Sequence, residues 1–392
     1  MPETEPPIKK IYIAGAGLRG DGYPNAWNTV KILTCLDDLA VIDHSCWLPQ
    51  DVKLWKLASG SKADALVGVT RIASSNLISL AKLLARTPAR SLTYVPYPGI
   101  FILWLASWLP ERIRPRFICD AYITVWDSLY QDRNLGNSKS TASRILLSIE
   151  SRALRTAEMV VSDTTKNAEH ISLTFGVARD RIRALPLALQ PLPDRPRPPK
   201  KNDDDNRVNV IFVGTFVPLQ GTTLIAKSIH ALRNAHDIEF TLIGDGQQAT
   251  DASPWLGANQ SVTWLRAWQP KEVIAKNIEQ SDICLGVFGG DGKAARVLPF
   301  KIYSALAAGK PVISQDNYGL PENTPPPPLM AISSDVDSLS SAIQTLANAP
   351  DQRREMGAAA AVYHQKYLSS EALTLIWKGV INKLINSTAP EQ

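Results

Sequence analysis

Cysteine is scarce: the 392 residues hold four, at positions 35, 46, 119 and 284, with no C-x-x-C pair among them. That spacing excludes a disulfide framework and a cysteine-based zinc site. The five histidines show no ligand spacing such as H-E-x-x-H, so no metal site is expected. Strong charge of one sign is also missing. The formal net charge is +5, with no basic block long enough for a nucleic-acid arm. Nucleic acid is thereby excluded as a partner, whereas an anionic small ligand or an anionic membrane surface fits. The opening MPETEPPIKK has no apolar core of a signal peptide, and the expected location is the cytoplasm.

No apolar run approaches the roughly 20 residues of a membrane span. The longest, GIFILWLASWL at 99–109, is followed by ERIRPR. It reads in two ways. One is a buried helix capped by charges. The other is an interfacial helix, with Trp104 and Trp108 at headgroup level and Arg112, Arg114 and Arg116 meeting anionic lipid. Residues 99–116 would then hold the protein peripherally on the inner face of the membrane.

What the chain has in quantity is alternation of strand and helix. Apolar strand-like runs recur as KKIYIAG, DLAVIDH, SLTYVPY, PRFICDA and MVVSD. After a break come NVIFVG, FTLIGDG, SVTWLR, DICLGVF and KPVISQD. Continuous Val/Ile runs between helices predict parallel sheets covered on both faces. The break is Pro-rich and charged and reads as a linker. Its triple acid Asp203–Asp205 lies among lysines and arginine and reads as a solvated charge cluster. The length suits two domains. The expected organisation is a Rossmann-like domain over 1–190, a linker over 191–206, a second Rossmann-like domain over 207–368, and a C-terminal helix in 369–392 packing back toward the first domain. The fold class is α/β, with two doubly wound parallel sheets.

Residues 15–20 read GAGLRG directly after a strand, which is the dinucleotide fingerprint G-x-G-x-x-G. In a dinucleotide fold the helix begins inside the fingerprint, so that the pyrophosphate sits on its amides. Here Gly22 and Pro24 follow, and Pro24 predicts a helix starting near Asn25. The glycines instead make a loop above the sheet that can approach a ligand closely. An NAD(P) or FAD oxidoreductase is therefore a minor alternative.

The second half carries the anion chemistry. NVIFVGTFVPLQGTTLIAKSIHAL gives a strand, a loop bounded by Gly214 and Gly221, and a helix opening at Thr222–Thr223. DICLGVFGGDGKAARVLPFKIYSALAAGKPVIS gives a strand, a glycine loop, and a helix expected from Pro299 to Gly309. Lys293, Arg296 and Lys301 precede or enter that helix. Two helix N-termini and three cations at the C-terminal edge of a parallel sheet suit a diphosphate.

These residues resemble the donor-binding half of family-4 glycosyltransferases, whose fold is GT-B: two Rossmann-like domains facing across a cleft. The resemblance covers nearly all of 207–370 and is most specific at 282–314. In the first domain it is looser, through ESRALRTAEMVVSDT and FGVARDRIRALPLAL. It implies transfer of a sugar, with retention, from a UDP- or GDP-type nucleotide sugar to a saccharide or lipid-linked acceptor. The setting would be surface polysaccharide or glycolipid synthesis, with no tightly bound cofactor.

Carried over, Gly214 and Thr215 would lie against the donor phosphates, with Gln220 and Gly221 closing that loop. Gly244 would sit beneath the nucleoside, and Leu265 and Arg266 would flank the base. Phe288, Gly289 and Gly290 would face the sugar. Lys293, Arg296, the amides after Pro299, and Lys301 would hold the diphosphate. The acceptor would pass over the loop of Gly15, Gly17, Arg19, Gly22 and Asn25. Asp120, ending the strand RFICD, stands where many members have a histidine near the reacting sugar.

The chain departs from the family where two glutamates eight positions apart are usual: here they are Arg296 and Ser304. The Arg and Lys common in the first phosphate loop are Thr215 and Gln220. Ser304 can give the ribose only a weaker hydrogen bond than a carboxylate. A degenerate GT-B protein that binds a sugar nucleotide or a partner enzyme without turnover is thus the main alternative. For a general base, Asp43, His44 and Asp163 stay open beside their reading as strand-end or cap residues.

Overall fold

The computed structural model describes residues 9–19, 24–49, 62–132, 137–189, 207–257, 261–267 and 269–386. The linker region 191–206 and Gly22 lie outside the described residues. The chain divides into two compact units. One is Met1–Gln190 together with Ser370–Gln392, and the other is Pro191–Ser369.

The first unit runs β1 (Lys9–Ile13), α1 (Pro24–Thr34), β2 (Leu39–Asp43), α2 (Lys62–Arg86), β3 (Leu92–Val95), α3 (Ile100–Ala106), β4 (Arg116–Asp120), α4 (Thr141–Thr156), β5 (Met159–Ser162), α5 (Thr165–Phe175) and β6 (Ile182–Ala184). Its sheet is ordered β2-β1-β3-β4-β5-β6, all pairs parallel. Strands β3, β4 and β5 are buried at every position, so apolar residues occupy both faces of their centres. The Thr164 hydroxyl caps α5 by accepting from the Asn167 amide, and Gly176 ends that helix at φ 66°.

The second unit runs β7 (Val208–Val213), α6 (Thr222–Ala231), β8 (Ile238–Ile243), α7 (Ala249–Leu256), β9 (Val262–Leu265), α8 (Lys271–Gln280), β10 (Ile283–Leu285), α9 (Phe300–Ala307), β11 (Val312–Gln315), β12 (Met330–Ile332), α10 (Val336–Ala347) and α11 (Pro350–Tyr363). Its order, β12-β11-β10-β7-β8-β9, is also parallel throughout. Strand order reverses between β7 and β10. In open parallel sheets, such a reversal leaves a crevice at the carboxyl ends of the two strands, where ligands bind.

All ten strand-like runs are strands. The edge strands β6 and β12 have only three residues each and carry no readable period. Helix α12 (Ser370–Asn386) packs Leu373, Trp377, Val380 and Ile381 into the core of the first unit.

The run at 99–109 is core. Ile100, Ile102, Leu103 and Ala106 are buried, and only Trp108 stands out, with the Arg152 guanidinium 3.8 Å above its ring. Arg116 is buried and paired with Glu158 at 2.6 Å, and also donates to the Leu384 carbonyl. It cannot meet lipid, which corrects that part of the interfacial expectation.

Candidate functional site

The loops that follow β7, β8 and β10 nest against one another at the switch point. Gly221 has φ +67° and lies against the Phe288 carbonyl, and Gly244 has φ +124° and lies against the Gly214 carbonyl. A side chain at either position would meet that backbone, so only glycine lets these loops touch. Gly289 lies likewise against the Leu219 carbonyl. Between the loops, the Phe216 ring stacks on Trp264, 5.3 Å centre to centre and nearly coplanar.

Polar groups converge on Gly214. The Lys301 ammonium lies 2.9 Å from the point where a Gly214 side chain would begin, and Gln220 Oε1 reaches the same point. Thr222 opens α6 directly after Gly221. Lys301 Nζ, Gln220 Oε1 and Thr222 Oγ1 are each buried with no hydrogen-bond partner among the described residues. Buried polar atoms without partners are rare, and two that meet at Gly214, with the third opening the adjoining helix, mark a place built for a polar ligand. Lys301 is the sharpest case. Its Nζ sits 3.8 Å from the centre of the Phe212 ring, and burial holds its pKa well below the ordinary lysine range.

The other residues expected around a donor fall into place as follows. Thr215 Oγ1 accepts from Gln220 Nε2 at 3.4 Å. The Gly244 amide donates to the Leu265 carbonyl at 2.9 Å, joining the loops after β8 and β9. Arg266 is exposed, pairs with Asp245 at 3.3 Å and lies over Trp264. Phe288 packs its ring into the core, so only its backbone reaches the loops. Lys293 and Arg296 sit in the turn ahead of α9, with the Arg296 amide on the Lys293 carbonyl at 3.0 Å. Pro299 is the N-cap of α9, and Lys301 and Ser304 follow at i and i+3 on one side of it.

Sequence reasoning missed two glutamines. Gln315, ending β11, is buried. Its Oε1 accepts the Gly290 amide and its Nε2 donates to the Gly290 carbonyl, both at 2.9 Å, which clamps that glycine. Gln248 accepts the Thr222 amide at 3.2 Å, so one of the amides opening α6 is already engaged. The only signal for Gln315 was a glutamine closing the apolar run KPVISQD.

In the first unit, β1 stops at Ile13 and α1 is described from Pro24, and no helix begins among the described residues 15–19 of GAGLRG. Gly15 has φ +103°, the Trp47 ring lies against Gly17, and the Arg19 guanidinium lies 3.9 Å above Trp27. Asn25 is buried: its Nδ2 donates to Asp120 at 3.0 Å and its Oδ1 accepts the Ala188 amide at 2.7 Å. Asp120 is itself 2% exposed and also accepts from the Tyr94 hydroxyl at 2.7 Å. Burial raises its pKa from 3.8 to about 6, against the opposing pull of the bonds from Tyr94, the Tyr122 amide and Asn25. It borders a small cavity shared with Asn25, Thr29, Tyr94, Ser162 and Trp377. Asp120 and Asn25 therefore brace the start of α1 from inside.

Of the candidate bases, Asp43 accepts from the Ser45 amide and from Trp47 Nε1, and closes a turn. Asp163 is buried and accepts from Asn167 Nδ2 at 2.8 Å. His44 stacks on Tyr12. Among the described residues, no group of three or more His, Cys, Asp or Glu side chains could hold a metal ion.

Residues 207–349 match the family described as "Glycosyl transferases group 1", and this segment contains all three glycine loops and Lys301. No curated protein sequence matches the chain. Solved structures match over almost its full length. HepE of Anabaena, in complex with UDP, aligns with TM-score 0.62 and 11% identity, covering 96% of this chain and 100% of that one. OtsA, a trehalose-6-phosphate synthase, aligns with TM-score 0.63 and 13% identity, covering 95% and 99%. The N-terminal domain of Candida albicans trehalose-6-phosphate phosphatase gives 0.61 and 9%, covering 96% and 97%. At such identities the likeness is one of fold. The fold is GT-B, two doubly wound α/β units, and the segment that matches the group 1 family lies in the second.

Proposed function

We propose that the protein is a glycosyltransferase that moves a sugar from a UDP-linked donor to a saccharide or lipid-linked acceptor, with retention at the anomeric carbon. The observation that carries this reading is the trio of partnerless buried atoms on Lys301, Gln220 and Thr222 at the switch point of the second unit. A diphosphate supplies what they lack: negative charge for the ammonium and oxygens for the hydroxyl. Gln220 Oε1 accepts only, so it takes a hydroxyl or amide proton of the donor.

Transfer leaves a nucleoside diphosphate carrying new charge. With Lys301 beside it and Lys293 and Arg296 in the adjoining turn, that charge is stabilised by groups fixed before the reaction. Asp120 acts as a positioning residue, because it touches Asn25 and Tyr94 and not solvent. UDP is favoured over GDP because HepE is described with UDP, with UDP and glucose, and with UDP-glucose. Retention is supported by the description of a trehalose-6-phosphate synthase as transferring with retention. The acceptor reading fits work on the cytoplasmic face of a membrane.

The test is a titration of the purified chain with UDP, GDP and UDP-glucose, read as melting temperature and by calorimetry. A ligand that binds only the native state raises that temperature by mass action. UDP should do so for the wild type and not for Lys301→Ala. A wild type that ignores every nucleotide would overturn the reading. UDP binding without transfer or donor hydrolysis for any acceptor would favour the non-catalytic alternative, which Ser304 motivates.

A further inference from the structure

Helix α2 is the longest of the described helices, and it has one face too many. Its inner face is buried through Ile72, Asn76, Ser79, Leu80 and Leu83. Positions 66, 73, 77 and 84 are separated by seven, four and seven residues, so they form one row along the helix. They are Leu, Ala, Leu and Leu. The neighbouring row, 67, 74, 78 and 85, is Val, Ser, Ile and Ala. Both rows are exposed, with Leu66 at 68%, Val67 at 69%, Leu77 at 55% and Ile78 at 51%. Thirteen large apolar side chains stand exposed among the described residues, and six of them are on this one helix. Scattered exposed apolar residues need no account, but a two-row stripe does. A surface helix ordinarily carries one apolar stripe, which faces the core, and here a second one faces outward.

The charges decide what covers it. Arg71, Lys82 and Arg86 form the next row, along one flank of the stripe, and all three are exposed. The one acidic residue of the helix, Asp64, stands in its first turn on that same row, and no other follows before Glu111. An apolar stripe whose flanking row carries three cations against one acid, on a helix of 25 residues, matches an anionic lipid surface. The helix is not long and apolar enough to cross a membrane.

We propose that α2 is the element by which the protein docks on anionic membrane, its two apolar rows seated at the headgroup boundary and Arg71, Lys82 and Arg86 on lipid phosphates. This replaces the run at 99–109, which folding has used for the core. It rests on the lipid-linked acceptor reading for its purpose only, since docking needs neither donor nor acceptor.

The experiment is flotation of the full chain with phosphatidylcholine vesicles, with and without phosphatidylglycerol, in the absence of nucleotide. The wild type should float with the anionic vesicles and release as salt is raised. Leu77→Asp/Ile78→Asp should stay at the bottom while keeping the wild-type far-UV circular-dichroism spectrum and melting profile, which shows that it folds. Arg71→Ala, Lys82→Ala and Arg86→Ala should each weaken binding roughly fivefold. Wild type that does not float, or variants that float equally well, would overturn the proposal and leave the donor reading intact. A wild-type dimer made monomeric by the double variant, with no vesicle binding, would overturn it in favour of a second copy. Loss of UDP binding in the wild type would count against the donor reading alone.

Discussion

The Lys301 ammonium rests 3.8 Å from the centre of the Phe212 ring, across the crevice between β7 and β10. Phe212 is the penultimate residue of β7 and Lys301 the second residue of α9, so the contact joins the two strands flanking the switch point through the elements attached to them. The ring face steadies a cation that has no hydrogen-bond partner among the described residues.

Lys301→Met tests that cation directly. Removing a buried charge relieves desolvation, so the variant should be at least as stable as the wild type. UDP affinity should fall by tenfold or more, as expected for a lost hydrogen bond to a charged group. Calorimetry and a melting curve on the same sample separate the two effects.

The depressed pKa of Lys301 makes donor binding pH-dependent. A bound diphosphate favours the charged form and raises that pKa, so binding takes up a proton wherever the free protein has released it. Affinity should be level at pH values below the free-state pKa and fall above it, by up to tenfold per pH unit. Titration in buffers of different ionisation enthalpy measures the uptake. No uptake at any pH would remove Lys301 from the site.

Asp120→Asn should stabilise the first unit at neutral pH. The folded pKa, about 6, lies above the ordinary 3.8. The native state therefore holds its proton more tightly, and the stability this confers is full below about pH 4 and lost as pH rises through 6. At pH 7 the carboxylate costs up to about 3 kcal/mol, which asparagine avoids while still accepting from Tyr94 and Asn25. The melting temperature of the variant should rise at pH 7, and its profile between pH 4 and 6 should flatten.

Trp377→Ala should destabilise the first unit by about 3–5 kcal/mol. Trp377 is 2% exposed and meets Tyr94 edge-on at 5.8 Å, so a cavity would open beside Asp120. The UDP response, which belongs to the second unit, should remain at temperatures where that unit is folded.

Gly221→Ala should lose both stability and donor binding. The left-handed backbone alone costs an alanine roughly 1–2 kcal/mol. The Phe288 carbonyl stands where the methyl would go, so the loops would have to part. Melting and UDP titration of the variant measure the two losses.

The sequence by itself determined the architecture. Strands such as β4 and β5, buried on both faces, carry apolar residues on both faces of their centres, so ten of the twelve strands and their parallel pairing were legible from one dimension. Turn residues mark helix starts as well: α1 is described from Pro24, whose preset φ suits a first helical position and argues against a dinucleotide fingerprint. The glycine loops and cations of the second unit were readable for the same reason, since close backbone approach and anion binding each restrict residue type.

Tertiary structure alone decided what depends on side chains far apart in the chain. Lys301 became special through Phe212, which lies 89 positions away. Gln315 looked like a strand terminus until its amide closed on both backbone groups of Gly290. The run at 99–109 packs inside, as the first of its two readings expects, while Leu66, Val67, Leu77 and Ile78 of α2 face outward although each is apolar. Hydropathy measures the preference of a segment for leaving water. Only packing fixes which segment the fold has room to enclose.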